Sequence, residues 1–398
     1  PANPTGPGGA APPPPAVSAT PVMQVVSGDA ARFVGPFRLV FPSSLGLTGK
    51  SQLRVAKLNQ AENMPVSFEA NFPLEFSAVT GLQLVALLPS PDGQTLMAET
   101  ASHVASEFSL INTNSRALRT LNPVAKPGEL LISPVRFLGW APDSQNIIVQ
   151  NNDEDESKSF ALLNLLDQKS QLIEYPVSPS GLTRVAAMTY SPDGSQFADL
   201  LLQPDTFTLE LAVRPAQNVN LTDRKVIRQI PNVASVVERS LQWSPDNKKV
   251  AWVMNTQSGA TYKLSSQQTE LWVADIATGD AKRVAVLGRG VAYNHVPLWT
   301  MGSKELVAIV VENVIDQRDV ASNIKRFGID STTVKNLTDF KSTRISNLTW
   351  TRDNRNLAFS VLKEGSLVGE IWFTDFQGVS KQQLVSATPP NAPFAWLP

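Results

Sequence analysis

Very few residues of this chain have the chemistry that catalysis or metal binding requires. The 398 residues contain no cysteine and only two histidines, His103 and His295. The chain therefore has no thiolate nucleophile and no disulfide, and two histidines cannot form a three-histidine zinc centre. One histidine could still act as a general base. We expect His295 to be a hydrogen-bonding loop residue rather than a ligand or a base.

The most concentrated charge in the chain is an acidic run at residues 153–156. It lies between two apolar segments that are typical of strands, so we expect it at the tip of a hairpin. Oxygen ligands suit Ca²⁺, but the run lacks the spacing and the glycine of an EF-hand loop. A solvated tip is the simpler interpretation, and an electropositive partner surface is as good a candidate as a cation. The residues are Asp153, Glu154, Asp155 and Glu156.

Two sequence signatures of enzymes are incomplete or missing. Gly49-Lys50-Ser51 is similar to the end of a phosphate-binding loop, but Ser44 stands where that motif needs a glycine, and we expect a strand to follow instead of a helix. No Gly-x-Ser-x-Gly element occurs, so the nucleophile elbow of an α/β-hydrolase is absent. We therefore expect no catalytic residue, no bound cofactor and no metal.

Composition argues against two further classes of function. Lys and Arg number 34 and Asp and Glu 35, a net charge of −1. The chain lacks the excess of positive charge that a nucleic-acid binder or a polybasic membrane-surface protein needs, so we expect no nucleic-acid partner. No apolar run approaches the roughly 20 residues that span a bilayer, so we expect no transmembrane segment.

Residues 1–24 are expected to form a linker. Residues 1–21 contain eight of the 30 prolines and too few large side chains to offset the entropy cost of ordering. The four consecutive prolines from Pro12 favour an extended polyproline II segment. The segment lacks the basic start and apolar core of a signal peptide. We expect a tether of an exported protein, with the disordered tail of a cytoplasmic protein as the alternative.

A repeat of about fifty residues organises the rest of the chain. The common pattern is an aromatic residue, a small residue, Pro-Asp, then Gly, Asn or Ser, and finally an apolar run. Five of the eight tryptophans occupy the aromatic position, which Pro89 fills in the first copy. The aromatic residues are Trp140, Tyr190, Trp243, Trp299, Trp350 and Trp396, and the motif aspartates are Asp92, Asp143, Asp193, Asp246 and Asp353.

Each copy is typical of a β-hairpin, because apolar residues alternate on both sides of a short polar interruption. In residues 191–194, Ser-Pro-Asp-Gly, proline favours the second position of a type I turn and glycine the left-handed position after it. Asparagine, which tolerates that conformation, replaces glycine at positions 247 and 354. We expect the aspartates to cap turn amides and the aromatic residues to pack between repeats. One copy has Met301-Gly302-Ser303 instead of Pro-Asp-Gly, so its hairpin is expected to be remodelled.

Two more strand-like segments follow several of the hairpins, for example residues 269–287. Four short antiparallel strands in every fifty residues are the signature of a propeller blade. Over residues 81–398 the repeats resemble the PD40, or WD40-like, repeats of TolB-type bacterial β-propellers. The resemblance implies an all-β propeller of bacterial origin.

Seven copies predict seven blades, the last of which is split. Trp396 begins a copy that ends two residues later, so the remaining strands of that blade must come from residues 25–80. We therefore expect residues 25–398 to form one domain, a seven-bladed β-propeller closed by N-terminal strands that pair with the C-terminal strand. Six blades with a separate N-terminal β-subdomain are the alternative.

The expected function is that of a non-catalytic scaffold for other proteins, placed outside the cytoplasm and tethered through the N-terminal segment near a membrane-associated assembly. The acidic run and the polar segments near residues 151–158, 255–268 and 312–324 are the expected partner-binding loops. A propeller that binds a small ligand or a glycan, or an enzyme that uses the central channel, is the alternative. Convergent polar residues at one mouth of the channel would favour it.

Overall fold

The computed structural model describes a ring of small antiparallel sheets. The described residues are 37–44, 50–58, 67–77, 83–101, 106–121, 135–151, 160–167, 170–173, 184–203, 205–216, 223–257, 267–290, 293–315, 318–351, 354–379 and 381–397. They form 29 strands in seven sheets, and each sheet is one blade of a β-propeller. The predicted all-β, seven-bladed architecture is confirmed.

Six blades follow one another along the chain, numbered here from the first. Blade 1 comprises β4 (Gln83–Pro89), β5 (Thr95–Ala101), β6 (Ser106–Asn112) and β7 (Leu118–Leu121). Blade 2 comprises β8 (Val135–Trp140), β9 (Asn146–Asn151), β10 (Phe160–Asn164) and β11 (Ser170–Leu172). Blade 3 comprises β12 (Arg184–Tyr190), β13 (Gln196–Gln203), β14 (Thr208–Pro215) and β15 (Lys225–Ile230).

In blade 4 the innermost strand is divided into two pieces. That blade comprises β16 (Val233–Val236), β17 (Gln242–Trp243), β18 (Lys249–Gln257), β19 (Gln267–Asp275) and β20 (Ala281–Arg289). Blade 5 comprises β21 (Leu298–Trp299), β22 (Glu305–Ile315), β23 (Arg318–Gly328) and β24 (Val334–Asn336). Blade 6 comprises β25 (Thr343–Trp350), β26 (Asn356–Lys363), β27 (Gly369–Asp375) and β28 (Lys381–Thr388).

Blade 7 joins the two ends of the described chain. Its outer strands are β1 (Phe37–Ser44), β2 (Lys50–Leu58) and β3 (Ser67–Ser77), and its innermost strand is β29 (Ala395–Leu397). The register pairs Leu39 with Trp396 and Val40 with Ala395 in antiparallel orientation. The ring is therefore closed as predicted, and the alternative of six blades with a separate subdomain is wrong.

Each blade is apolar on both faces because it packs against two neighbours. In β9, Ile147 and Val149 pack in a cluster shared with blade 1, whereas Ile148 between them packs in a cluster shared with blade 3. This is the alternation expected of a strand whose two faces are both buried. The described core consists of seven such clusters, one at each interface between adjacent blades.

Tryptophans of the repeat also connect neighbouring blades by hydrogen bonds. In four of them the indole Nε1 donates to a backbone carbonyl on the innermost strand of the preceding blade, which gives the indole N–H the partner it needs. The bonds run from Trp140 to Leu88, Trp243 to Thr189, Trp299 to Gln242 and Trp350 to Trp299, over 3.1, 3.3, 3.0 and 2.8 Å.

The hairpin turns have the backbone geometry that the sequence indicates. Gly93 and Gly194 have φ of 70°, and the residues that replace glycine also have positive φ, between 54° and 59°. Those residues are Ser144, Asn247, Ser303 and Asn354. The turn with Met301 and Gly302 keeps this geometry, since the Ser303 amide still donates to the Thr300 carbonyl over 2.9 Å. The expected remodelling of that hairpin is therefore wrong.

One expected loop is a pair of strands. The sequence predicts a polar loop at residues 312–324, but most of these residues belong to β22 and β23, each 11 residues long. The backbone pairing continues to Val314 with Asp319 and Ile315 with Arg318. Ladder hydrogen bonds sustain the strands there, and the residues are polar because this end of the hairpin is more exposed than its base. Of the segment 255–268, the described ends belong to β18 and β19.

We predict that Leu397→Ala destabilises the whole propeller. Leu397 is fully buried between blades 7 and 1, so the truncation should lower the free energy of unfolding by about 2–5 kcal/mol. Chemical denaturation followed by tryptophan fluorescence measures the change. Val379→Ala removes an apolar side chain that is 84% exposed and serves as the control. Equal stability of the two variants would contradict the closure by β29.

Candidate functional site

The motif aspartates hold the hairpin turns. Asp193 accepts hydrogen bonds from the Ser191 hydroxyl, over 2.6 Å, and from the Ser195 amide, over 3.0 Å. These bonds lower the pKa of Asp193. Asp92, Asp143 and Asp246 make equivalent bonds within their own turns, whereas Asp353 lies outside the described residues. The four described aspartates occupy separate blades, so they do not form a catalytic pair.

The motif aromatic residues lie at blade interfaces. Tyr190 packs against Phe197, with ring centroids 5.2 Å apart, and burial, together with the charge of Asp143, raises the pKa of Tyr190 to about 12. Trp396 belongs to the cluster between blades 6 and 7. The acidic run 153–156 and His103 lie outside the described residues, so the partner-binding role predicted for the run stays a prediction.

An arginine crosses the central channel. Arg239 lies between β16 and β17 on the inner edge of blade 4, and its Nη2 donates to the Glu99 carboxylate over 2.5 Å and to the Phe137 carbonyl over 2.6 Å. Its Nε also donates to the Phe137 carbonyl over 2.9 Å. Glu99 belongs to blade 1 and Phe137 to blade 2, and neither blade adjoins blade 4. The side chain must therefore pass through the channel, and we call this contact the channel clasp.

The clasp was not visible in the sequence, because 140 residues separate its two charged partners. It also limits the chemistry of the channel. Glu99 is almost fully buried, and its carboxylate is paired with the Arg239 guanidinium. Arg239, Glu99 and the Phe137 carbonyl are thus bound to one another.

Blade 3 contains a second set of buried charged side chains, which pair with one another. Asp199 accepts from Arg214 over 3.1 Å and from Arg224 over 2.9 Å, and Arg224 also donates to Glu210 over 3.2 Å. Gln229 donates to the same Glu210 carboxylate over 2.9 Å. Two cations thus neutralise two carboxylates, and the arrangement is that of a structural network.

His295 lies on the segment between β20 and β21, as the sequence indicated. Its ring meets Tyr293 edge to face, with centroids 4.9 Å apart, and the Tyr293 hydroxyl donates to the Ile309 carbonyl over 2.6 Å. Burial, and then the positive charge of Arg344, lower the pKa of His295 to about 4. The imidazole is therefore neutral at physiological pH.

An open groove lies between blades 5 and 6, at the end of the ring that carries the motif turns. Its volume is about 570 Å³, within the range typical of ligand-binding clefts. We call it the 5–6 groove. Its lining includes Met301, Gly302, Lys304, Asp330, Trp350 and Phe376.

The groove lies where Met301-Gly302 replaces the Pro-Asp of the repeat. In other copies the amide of the motif aspartate donates to the side chain at the left-handed position of the next blade, as Asp193 does to Asn247 over 3.2 Å. The proline also fills space, because a Cβ built on Gly194 would lie 3.3 Å from the ring of Pro142. In blade 5 these positions are Met301, which is 46% exposed, and Gly302, whose Cβ would meet nothing within 4 Å.

The walls of the groove combine aromatic rings with charges that are mostly paired. The rings of Trp350 and Phe376 have centroids 5.8 Å apart, and the Arg326 guanidinium lies 4.3 Å from the Phe376 centroid. Arg326 pairs with Glu305, and Lys282 pairs with Asp330 over 3.0 Å. No histidine is among the described lining residues. The sequence signal for this groove is the replacement of Pro-Asp-Gly by Met-Gly-Ser at residues 301–303. From the sequence alone we predict a remodelled turn there, not a groove.

In the part of the chain that the structure describes, no three His, Asp or Glu side chains are grouped to hold a metal ion. No helix in the same part of the chain has the length and apolar character to cross a membrane.

The fold defines the class of this protein as a seven-bladed β-propeller. No protein-family model and no curated protein sequence matches the chain. Solved propellers are similar to it, and at identities this low they show the fold alone. A putative 6-phosphogluconolactonase from Bacteroides fragilis is 13% identical with a TM-score of 0.53, covering 93% of this chain and 100% of that one. A puromycin-hydrolyzing peptidase from Mycobacterium tuberculosis is 15% identical with a TM-score of 0.52, covering 76% and 47%. TolB from Acinetobacter baumannii is 13% identical with a TM-score of 0.45, covering 91% and 83%.

We predict that Arg239→Met lowers the free energy of unfolding by about 3 kcal/mol, because Glu99 is then left buried without a partner. The double variant Arg239→Met/Glu99→Leu should recover most of this loss, since no charge remains to be buried. Urea denaturation of both variants and of Glu99→Leu completes the cycle. If the double variant is no more stable than Arg239→Met, the buried charge of Glu99 is not the cause of the lost stability, and the prediction is wrong.

We predict that one of the two histidines titrates near pH 4. The pKa of folded His295 is about 4, below its ordinary value of 6.5, so the unfolded chain binds the proton first as the pH falls. The stability due to neutral His295 is then complete above pH 6.5 and is lost as the pH falls to 4. NMR titration of the imidazole signals measures the pKa, with His295→Gln for assignment. Two signals near pH 6.5 would refute the prediction.

Proposed function

We propose that this chain is a non-catalytic β-propeller that acts outside the cytoplasm as a protein–protein interaction scaffold, or as an accessory subunit of a membrane-associated assembly. The observation that carries the proposal is the 5–6 groove. It is an open concavity with aromatic walls, and its acidic residues Glu305 and Asp330 are held by cations. Such a surface suits the side chains of another protein, because aromatic and apolar anchors dominate protein interfaces.

The channel clasp supports a non-catalytic function over an enzyme of the central channel. A catalytic or ligand-binding site there would need polar groups free to meet a substrate. Arg239 and Glu99 neutralise each other instead, and Arg239 has a further partner in the Phe137 carbonyl. The competing function is the binding of a small ligand or a glycan at a site outside the channel. The experiment must distinguish it from the binding of a protein.

The location outside the cytoplasm rests on two sequence features. The repeats resemble those of TolB-type propellers, and the proline-rich residues 1–24 have the composition of an extended tether. The tether would hold the disc near the membrane while leaving its two ends open to partners.

Cross-linking mass spectrometry after mild detergent extraction of native membranes tests this function. We expect the full chain to copurify with stoichiometric protein partners whose cross-links fall on one end of the propeller or on residues 1–30. Lys304 should be among the cross-linked lysines, since it is exposed at the groove. Recovery of the chain as a free monomer, without membrane or partner, would overturn the proposal. It would favour the competing function, the binding of a small ligand or a glycan.

A further inference from the structure

We infer that the 5–6 groove binds a short acidic peptide segment of a partner protein, with one large apolar side chain seated against Trp350 and Phe376 and a neighbouring carboxylate paired with Lys304. The inference rests on the proposed function and gives the chemistry of the partner at that surface.

The seat for the apolar side chain is already formed. The Trp350 indole N–H donates to the Trp299 carbonyl over 2.8 Å. The ring therefore presents its apolar surface to the groove. Phe376 is held by Arg326, whose guanidinium lies 4.3 Å from the ring centroid and whose Nη1 also donates to the Phe376 carbonyl over 3.4 Å. Rings that are held in place before binding lose little entropy when a partner arrives.

The opening of the seat has an exposed apolar rim. Met301 is 46% exposed beside the rings, and methionine adapts its shape to different apolar partners. Gly302 next to it leaves room for a peptide backbone, because a Cβ there would have no atom within 4 Å. The volume of about 570 Å³ is that of a cleft for a drug-sized ligand, so a short peptide segment matches it and a folded domain does not.

The charges around the groove favour an acidic occupant. Glu305 is paired with Arg326, and Asp330 is paired with Lys282, which lowers the pKa of Asp330. Lys304 lies on the same rim and is exposed, and none of the described residues forms an ion pair with it. The unsatisfied charge of the rim is therefore positive. A single lysine suits one carboxylate and is too little for a polyanion or an anionic membrane.

The test uses the purified full chain and fluorescein-labelled decapeptides. Each peptide contains one Leu, Phe or Trp flanked by Asp and Glu, or by Asn and Gln in its matched counterpart. Fluorescence polarisation should show binding of the acidic peptides about threefold tighter than their amide counterparts, as expected for one solvent-exposed ion pair. Lys304→Gln should remove this difference. Lys248→Gln is the control, because Lys248 is exposed at the equivalent position of a blade that keeps Pro-Asp.

A second variant closes the groove while keeping the turn. Met301→Pro with Gly302→Asp restores the repeat, and Ser303 already has the left-handed conformation that this motif uses, with φ of 54°. The restored proline and carboxylate should weaken peptide binding at least about tenfold, as the loss of a central anchor does at protein interfaces. Denaturation should show that the variant is folded. If the double variant does not fold, the peptide affinities of Lys304→Gln alone test the inference.

The outcomes separate the two proposals. Absence of peptide binding, equal binding of acidic and amide peptides, or binding unchanged by Met301→Pro/Gly302→Asp would overturn the groove inference. If the variant with the restored repeat still captures the native partners, the groove inference fails and the scaffold function stands. If peptides bind as expected but the native chain has no partner, the scaffold function fails and the chemistry of the groove stands.

Discussion

The structure depends on one constraint: every blade is a thin sheet with two apolar faces, and water must be excluded from both. A four-stranded sheet of this kind cannot be stable alone, so each blade needs a neighbour on either side and the ring must close. The tryptophan of the repeat meets this need at the inner edge, where its ring packs between blades and its N–H satisfies a carbonyl of the preceding blade. Four of the five tryptophans at this motif position make both contacts.

The same constraint explains where variation is tolerated. The turn in blade 5 keeps its backbone although Pro-Asp is absent, because the Thr300 carbonyl and the Ser303 amide supply the hydrogen bond that shapes it. What changes is the volume above the interface, since Met301 and Gly302 no longer cover it. A binding surface can therefore arise at one copy of the repeat without loss of the ladder or the core. In the central channel the side chains connect blades instead of leaving a space open. The charged side chains of the clasp join two non-adjacent blades there.

Local patterns in the sequence predicted most of the fold. The exchange of glycine for Asn247 indicated a left-handed position, and the incomplete copy at Trp396 indicated a blade shared by both ends of the chain. Contacts between distant residues could not be predicted in this way, because a single sequence does not show which blade faces which. Arg239 and Glu99 are the clearest example. The long hairpin of β22 and β23 was missed for another reason, since its exposed end lacks the apolar alternation that marks a buried strand.

The composition of blade 7 has a consequence for biosynthesis. Phe394 and Trp396 complete the cluster against blade 6, and Ala395 and Leu397 complete the cluster against blade 1. A growing polypeptide emerges from the ribosome or an export pore with these residues after every other described strand, so the ring stays open until β29 has emerged. During that interval blades 6 and 1 each have an incompletely covered apolar face, which is the condition that recruits chaperones and exposes a chain to proteases. Closure by β29 thus makes completion of the core depend on the strand that follows all the others in the sequence.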